Sequence, residues 1–364
     1  MSRIILVSDD EDEEVIVVVP TGKRRRHPFP LYKIACHRRS FLAGTCLGIS
    51  SREYRKMRRW KFPKDWFVLL LYSHVEFGWV PQDIDIQEWM SGMEQIVKVG
   101  RERGHKSAGF EIGADEILQD FLGNQGFMHA VKAGKRLRPR GLQHWDTVCT
   151  SWVWVCKDGS KRSLLLPMGD VNKGWVVKGD AMVSRMILVG GLGYSKLCEL
   201  LLEQPGSSLM DKHDRFDKPP FNNLLHVRTM MGAFGAPTCK PSKIFGTSLD
   251  QIYPLKRSLS KSRKAELSTS APETCYEFIQ GGRVRCTGNK HALKQTQVYP
   301  REYAETVVKS WEAWKAEATQ EGDSPSDSSD SDYPEKRPAS WPEAGLRPVI
   351  AAYQAKHGIL RGDF

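Results

Sequence analysis

The chain has 364 residues, of which 40% are hydrophobic, enough to bury one sizeable core and to add a small second module. No stretch approaches the roughly 18 consecutive apolar residues that cross a bilayer, and the longest clean apolar run covers only residues 66–72. Residues 1–20 contain an acidic block instead of the basic start and apolar centre of a signal peptide. We therefore expect an intracellular protein with no membrane partner.

The positive charge of the chain is concentrated in its middle. The net charge is +11, and acidic segments at both ends leave residues 22–319 more basic than the chain as a whole. A surface of this charge attracts polyanions, so nucleic acid is a candidate partner. A solvated surface rich in Lys and Arg is the alternative explanation.

The eight cysteines are irregularly spaced and include no Cys-x-x-Cys pair. They form no Cys/His cluster at the spacing of zinc ligands, so the sequence predicts neither a disulfide scaffold nor a metal site. We expect the thiols to be reduced.

Residues 1–27 are predicted to form a disordered arm with an acidic and a basic part. The acidic block at 9–14 is flanked by short β-branched runs at 4–7 and 15–19. This pattern resembles SUMO-interacting motifs, in which an extended segment adds to a sheet edge of the partner. A hairpin or a disordered arm of the protein itself is the alternative. The basic cluster at 23–27 is typical of nuclear import signals, so a nuclear location is favoured over a cytoplasmic one.

Residues 28–80 are a basic region, rich in Arg, Trp and Phe, for which the sequence predicts no particular fold. From residue 84 onward strands alternate with helices, so residues 81–319 are predicted to form the main domain. The predicted elements are the strand 84–90, the helix 94–103, the strand 108–112, the helix 126–133, the strand 147–155, the helix 176–189 and the strand 197–202. This alternation implies a parallel sheet whose ligand crevice lies at the carboxyl ends of the strands.

The part of this domain beyond residue 220 is predicted to be smaller and antiparallel. Its predicted elements are short strands at 224–231, 243–245, 276–279 and 283–286 and a closing helix at 303–318. Residues 320–340 are rich in Ser and Asp and are predicted to form a disordered linker, because they cannot bury enough apolar surface to fold. Residues 341–364 are predicted to form a C-terminal helix or tail.

Four short motifs follow one another in the main domain. They are Gln87-Glu88-Trp89-Met90-Ser91-Gly92, Gly109-Phe110-Glu111, Val148-Cys149-Thr150-Ser151-Trp152 and Leu202-Glu203-Gln204-Pro205. In this order they resemble the motifs of cytosine-5 DNA methyltransferases and, more closely, a large group of uncharacterised methyltransferase-like proteins of protists. That group also matches at Gly169-Asp170, Ser184-Arg185, Ser207-Ser208, Gly232-Ala233-Phe234-Gly235, Lys240-Pro241 and Tyr299-Pro300. The resemblance implies an α/β fold with a Rossmann-like methyltransferase sheet and helices on both faces.

The resemblance implies a binding site for S-adenosylmethionine beside the first two strands. The turn that contains Ser91 and Gly92 would let backbone amides approach the methionine part of the cofactor. Glu111, the acid that ends the second strand, would accept hydrogen bonds from both ribose hydroxyls. Ser91, Gly92 and Glu111 are therefore the predicted cofactor-binding residues.

The resemblance also implies two catalytic residues, Cys149 and Glu203. Cys149 would attack carbon 6 of a flipped-out cytosine as a thiolate, which makes carbon 5 a nucleophile for the methyl group. Glu203 would hold the base by its ring nitrogen and its exocyclic amine. The predicted function is an S-adenosylmethionine-dependent methyltransferase-like protein that acts on nucleic acid.

Three departures from the family pattern keep a second function open. Glu94 stands where the family has the second glycine of its turn, and Val148 stands where it has the proline before the nucleophile Cys149. Glu203 is followed by Gln-Pro instead of Asn-Val. The alternative function is a catalytically inactive methyltransferase fold that serves as a binding module, or as a nuclear adaptor recruited to SUMO or SUMO-modified proteins by its N-terminal arm. The sequence leaves open whether the protein is an enzyme.

Overall fold

A computed structural model of the protein describes residues 14–18, 33–37, 47–269, 274–279, 283–288 and 298–320. The chain divides into two compact units between Val80 and Pro81. Several predicted segments lie outside the described residues, namely the first apolar run and the basic cluster of the N-terminal arm, the linker from residue 321 onward and the C-terminal helix. These segments stay predictions.

The first unit contains a short antiparallel pair of strands, β1 (Glu14–Val18) and β2 (Lys33–His37). Ile16 lies opposite Ala35 at the centre of the register. The second apolar run of the N-terminal arm thus pairs with a strand of its own chain, which corresponds to the hairpin alternative.

Two helices occur in the region for which the sequence predicted no fold, α1 (Ser51–Arg59) and α2 (Lys64–Phe77). A capping box starts α1, because the Glu53 amide donates to the Ser50 hydroxyl and the Ser50 amide donates to the Glu53 carboxylate at 2.6 Å. The indole of Trp66 in α2 is buried and donates a hydrogen bond to a methionine sulfur of α1.

A six-stranded sheet forms the centre of the second unit. Its strands are β3 (Ile84–Trp89), β4 (Ser107–Phe110), β5 (Leu137–Trp145), β6 (Glu199–Pro205), β7 (Leu225–Met230) and β8 (Pro241–Gly246). Their order in space is β4-β3-β5-β6-β8-β7. The first four are mutually parallel, and β8 runs antiparallel to both of its neighbours. The unit therefore has an α/β fold with a mainly parallel sheet, as the sequence predicted.

Helices flank this sheet. They are α3 (Gln95–Glu102), α4 (Asn124–Arg136), the short α5 (Lys157–Ser160), α6 (Gly174–Ser195), the short α7 (Leu249–Ile252), α8 (Lys261–Thr269) and α9 (Arg301–Gln320). Single 3-10 turns occur at Trp154–Cys156, Met210–Lys212, Phe221–Asn223, Met231–Phe234 and Tyr253–Leu255. Two further strands, β9 (Thr274–Ile279) and β10 (Arg283–Gly288), pair antiparallel with each other. Helices α3 and α7 pack against α9, whereas α4 packs against α6.

The alternation of side chains along the strands explains why both faces of the sheet are covered. Ile86, Leu142 and Leu201 point to one face and belong to a buried cluster with the apolar side of α9. Trp89 follows Ile86 in β3, and Trp145 follows Leu142 in β5, in each case by an odd number of residues. Both indoles therefore point to the other face. Their rings stack with centroids 4.6 Å apart. Both faces are therefore apolar and require helices to cover them.

The strand predicted at 147–155 was wrong, because the third strand of the sheet is β5, at Leu137–Trp145. The sequence of this strand includes Arg-Pro-Arg-Gly, which does not show the apolar alternation of a strand. Gly141 is required there, since a Cβ at this position would lie 2.8 Å from the Asp85 carbonyl oxygen. Residues 147–153 instead form a loop, so Cys149 follows a strand and does not lie within one.

The other predicted elements of the main domain occur close to their predicted positions, and α4 and α6 are longer than predicted. The sequence did not predict α7 or α8, each of which lies between two strands of the predicted antiparallel part. In the described part of the chain, no helix combines the length and the apolar character that crossing a membrane requires.

Candidate functional site

The candidate site lies at the carboxyl ends of the parallel strands. In the sheet, β4 lies on one side of β3, and β5, which comes later in the chain, lies on the other side. Such a reversal of strand order opens a crevice beyond the strand ends, where open α/β sheets bind ligands. The turn after β3 begins this crevice.

This turn has an unusual backbone. Met90, Gly92 and Glu94 all have left-handed φ angles, of 56°, 49° and 55°. Gly92 suits this conformation because it has no Cβ, and open space surrounds the position where a Cβ would lie. Glu94 has a Cβ, so the left-handed conformation costs it conformational free energy. Helix α3 begins at the next residue.

The predicted cofactor residues meet at this turn. The Gly92 amide donates a hydrogen bond of 2.9 Å to Oε2 of Glu111, which follows β4 and is half-buried. The Ser91 side chain is buried, and its hydroxyl has no hydrogen-bond partner within the described part of the chain. The structure thus brings Ser91, Gly92 and Glu111 together.

Glu94 occupies the space between this turn and β4. A Cβ added to Gly109 would collide with the Glu94 carboxylate and would lie 2.8 Å from the Ser91 hydroxyl. The carboxylate is 3.9 Å from the Arg101 guanidinium, a weak and largely exposed contact. A negative charge is therefore fixed close to Ser91 and Gly109.

The two predicted catalytic residues are also close to each other. Cys149 is half-buried in the loop after β5, and Glu203 is buried near the end of β6. Burial raises the pKa of the Cys149 thiol to about 11, and the negative charge of Glu203 contributes to the same shift. The Lys240 ammonium acts in the opposite direction. The charges of Glu203 and Lys240 therefore both act on the Cys149 thiol.

Glu203 is held by three side chains. Its Oε1 accepts a hydrogen bond of 2.5 Å from the Ser242 hydroxyl and lies 3.8 Å from Nζ of Lys240. Its Oε2 lies 2.9 Å from the Tyr299 hydroxyl. The carboxylate is therefore fixed at the carboxyl end of β6 with its charge partly balanced.

A polar network continues from Glu203 into the sheet. The Tyr299 hydroxyl is also 2.6 Å from Oδ1 of Asp146, so two carboxylates share its single proton. Burial, together with the charges of Asp146 and Glu203, holds the pKa of Tyr299 well above its usual range. On the other side of Asp146, the His144 ring lies between this carboxylate and the Tyr303 hydroxyl, at 2.9 Å and 3.2 Å.

The loop that carries Cys149 is anchored by a buried arginine. The guanidinium of Arg162 stacks on the Trp152 ring, 3.4 Å from its centroid. It also donates a hydrogen bond of 3.1 Å to the Ser151 hydroxyl and forms an ion pair of 2.8 Å with Asp180 of α6. The loop is therefore attached to the helix that follows it.

Sequence reasoning missed part of this site. Asp146, His144 and Tyr303 were not singled out, and Lys240 and Tyr299 were noted only as members of matching dipeptides. One signal was present, since a Gln-His pair at 143–144 between apolar neighbours is buried only with hydrogen-bond partners. The sequence did not show which residues those partners would be.

The residues around Gly92 fit a nucleoside that has an amino-acid tail. The Ser91 hydroxyl can accept a new partner, and the Glu111 carboxylate can exchange the Gly92 amide for hydroxyl groups of a ligand. The space beside Gly92 is open. The Glu94 carboxylate would repel the carboxylate of S-adenosylmethionine and would attract its ammonium group.

The chain matches no protein-family model, no curated protein and no solved structure.

Proposed function

We propose that residues 81–319 form an S-adenosylmethionine-dependent methyltransferase-like domain that acts on nucleic acid by cytosine-5 type chemistry. The observation that supports this proposal best is the hydrogen bond between Gly92 and Glu111, which are 19 positions apart. It joins a glycine turn and a strand-end acid at a reversal of strand order, where a Rossmann-like sheet binds its nucleotide.

The cofactor would lie along the β3 and β4 ends of the crevice. Glu111 would accept the ribose hydroxyls, and the Ser91 hydroxyl and the Gly92 amide would bind the amino-acid part. When bound, S-adenosylmethionine supplies an electrophilic methyl group. The protein residues bind and orient it.

The methyl acceptor would lie at the β5 and β6 ends. Glu203 would accept a hydrogen bond from the exocyclic amine of a flipped-out cytosine and would share a proton with its ring nitrogen. Cys149 would form the bond to carbon 6 through its thiolate, so that the electron pair moves to carbon 5.

The charge of the domain supports a nucleic acid as the acceptor. Residues 22–319 are more basic than the chain as a whole, whose net charge is +11. Lys240 adds a cation beside Glu203, where a phosphate or an electron-rich base would approach.

A second function, a methyltransferase fold that binds without transferring a methyl group, is favoured by two observations. The Cys149 thiol has a pKa of about 11, which leaves little thiolate at neutral pH. Glu94 also stands where the family has the second glycine of its turn, and its side chain would crowd or repel the carboxylate of the cofactor. Recruitment by the N-terminal arm to SUMO-modified nuclear partners is compatible with either function.

Calorimetric titration of the full-length protein with S-adenosylmethionine tests the cofactor site. We expect saturable binding that weakens about 10- to 100-fold in Glu111→Gln, because hydrogen bonds to a charged group contribute roughly 1.5–3 kcal/mol. Glu116→Gln, at an exposed glutamate beyond the same strand, is the matched control and should bind like the wild type. Absence of binding at millimolar cofactor, or equal binding by Glu111→Gln, would refute the site.

Covalent trapping tests the chemistry separately from cofactor binding. DNA and RNA that contain 5-fluorocytosine should form a stable adduct with the wild-type protein and cofactor, and none with Cys149→Ser. If cofactor binds but neither polymer is trapped, the cytosine-5 chemistry is wrong and the binding function is retained.

A further inference from the structure

A buried cluster next to the crevice combines two carboxylates and an imidazole. One carboxylate oxygen of Glu88, one ring nitrogen of His144 and one carboxylate oxygen of Asp146 all lie within 4.8 Å of one another. Glu88 lies in β3, His144 lies near the end of β5, and Asp146 is the first residue after β5. From this geometry we propose that the cluster is a binding site for one divalent transition-metal ion, such as Zn²⁺ or Mn²⁺.

Glu88 is the residue that most requires a cation. Its side chain is fully buried, and while Oε2 accepts a hydrogen bond of 3.0 Å from the Val97 amide, Oε1 has no partner among the described residues. A buried oxygen without a partner beside a second carboxylate is costly, and a divalent cation would neutralise both acids.

His144 also has a contact that a metal would improve. Its Nδ1 lies 2.9 Å from Oδ1 of Asp146, yet it lacks the alignment of a hydrogen bond. Its Nε2 is 3.2 Å from the Tyr303 hydroxyl, which orients the ring from the other side. An imidazole held by a second group in this way is the usual arrangement of a histidine ligand.

The donor set indicates which ions would bind. One imidazole nitrogen and two carboxylate oxygens suit Zn²⁺, Mn²⁺ and Fe²⁺, whereas Mg²⁺ prefers oxygen ligands alone. Ligands of one ion at about 2.0–2.2 Å and at tetrahedral angles lie roughly 3.3–3.6 Å apart. Because the three atoms lie within 4.8 Å of one another, side-chain shifts of up to about 1.5 Å would complete the site.

The ion would have a route to the site and a structural role. The Asp146 side chain is 13% exposed, whereas that of His144 is fully buried, so an ion would enter from the side of Asp146.

Once bound, the ion would link β3 to the end of β5. Because Glu88 also accepts the Val97 amide of α3, the ion would stabilise the start of that helix. This role does not depend on the proposed methyl transfer.

Titration of the chelator-treated full-length protein with Zn²⁺ and with Mn²⁺ tests the proposal. We expect one saturable site per chain and a higher midpoint of thermal unfolding with the metal, since a ligand specific to the folded state stabilises it. Asp146→Asn and His144→Gln should each weaken binding at least 10-fold, in line with the loss of one ligand. Glu116→Gln, which changes an exposed acid outside the cluster and outside the proposed cofactor site, should bind the metal like the wild type.

X-ray absorption of the zinc-loaded wild-type protein tests the site without any substitution, in case the buried variants do not fold. We expect one imidazole and oxygen ligands at about 2.0–2.2 Å. Lack of stoichiometric binding, a spectrum without imidazole, or unchanged affinity in a folded Asp146→Asn would overturn the proposal.

Discussion

The two ends of the crevice hold their polar side chains in different ways. At the β3 and β4 end, the half-buried Glu111 is held by the Gly92 amide, and a ligand can replace that contact. At the β5 and β6 end, Glu203 is buried among Ser242, Lys240 and Tyr299, and its network continues to Asp146. The first end is arranged to exchange partners, and the second is assembled before any ligand arrives.

This difference predicts separate effects on stability and on binding. A half-buried carboxylate such as Glu111, which accepts hydrogen bonds only from the Gly92 and Gly113 amides among the described contacts, contributes little to folding. Its substitution should therefore mainly weaken ligand binding. A buried carboxylate with several partners contributes to both, because its removal leaves those partners uncompensated. Substitutions at the two ends can therefore be compared directly.

The largest expected effect is on folding stability at the buried end. Glu203→Ala should lower the free energy of unfolding by about 3 kcal/mol, because the Lys240 ammonium and the Ser242 hydroxyl lose their buried partner. Glu111→Ala should cost no more than about 1 kcal/mol. Urea unfolding at neutral pH measures both values. Equal losses for the two variants would show that the ends do not differ as described.

A smaller effect is expected in the reactivity of Cys149. Because burial and the charge of Glu203 raise its pKa to about 11, the thiolate fraction near pH 7.5 should be about 100-fold below that of an ordinary thiol. Alkylation of Cys149 by iodoacetamide, followed by peptide mass spectrometry, should accelerate about tenfold per pH unit up to that pKa. Glu203→Gln should speed it at a given pH, and Lys240→Ala should slow it. A rate that levels off near pH 8 would contradict the raised pKa.

The smallest effect is expected at the turn of the open end. Glu94→Gly should raise the free energy of unfolding by up to about 1 kcal/mol, because glycine adopts the left-handed φ of 55° without strain. The loss of the exposed Arg101 contact should offset little of this gain. The same variant should bind S-adenosylmethionine more tightly, because a charge that repels the cofactor's carboxylate is removed. Thermal unfolding with and without cofactor measures both, and weaker cofactor binding would show that Glu94 takes part in recognition.

Much of the fold could be predicted because it follows from local patterns. The strand β6 contains a run of three leucines, β3 has isoleucines at alternate positions, and the helix stop Gly104 marks the end of α3. The strand β5 could not be predicted from its residues, because its Pro and Gly are untypical of a strand and its Gly141 suits a close approach to the Asp85 backbone that only the folded chain creates. The β-branched and aromatic residues at 147–153 have strand propensity, yet they form the loop that carries Cys149.

The sequence by itself determined the alternation of strands and helices, the basic middle and the chain order of Gly92, Glu111, Cys149 and Glu203. Only the tertiary structure decided which distant groups meet. It placed the Tyr299 hydroxyl between two carboxylates and left an oxygen of Glu88 without a partner among the described residues. The physical reason is that periodicity reports which side of an element is buried, whereas a hydrogen bond across more than 90 positions depends on how whole elements pack.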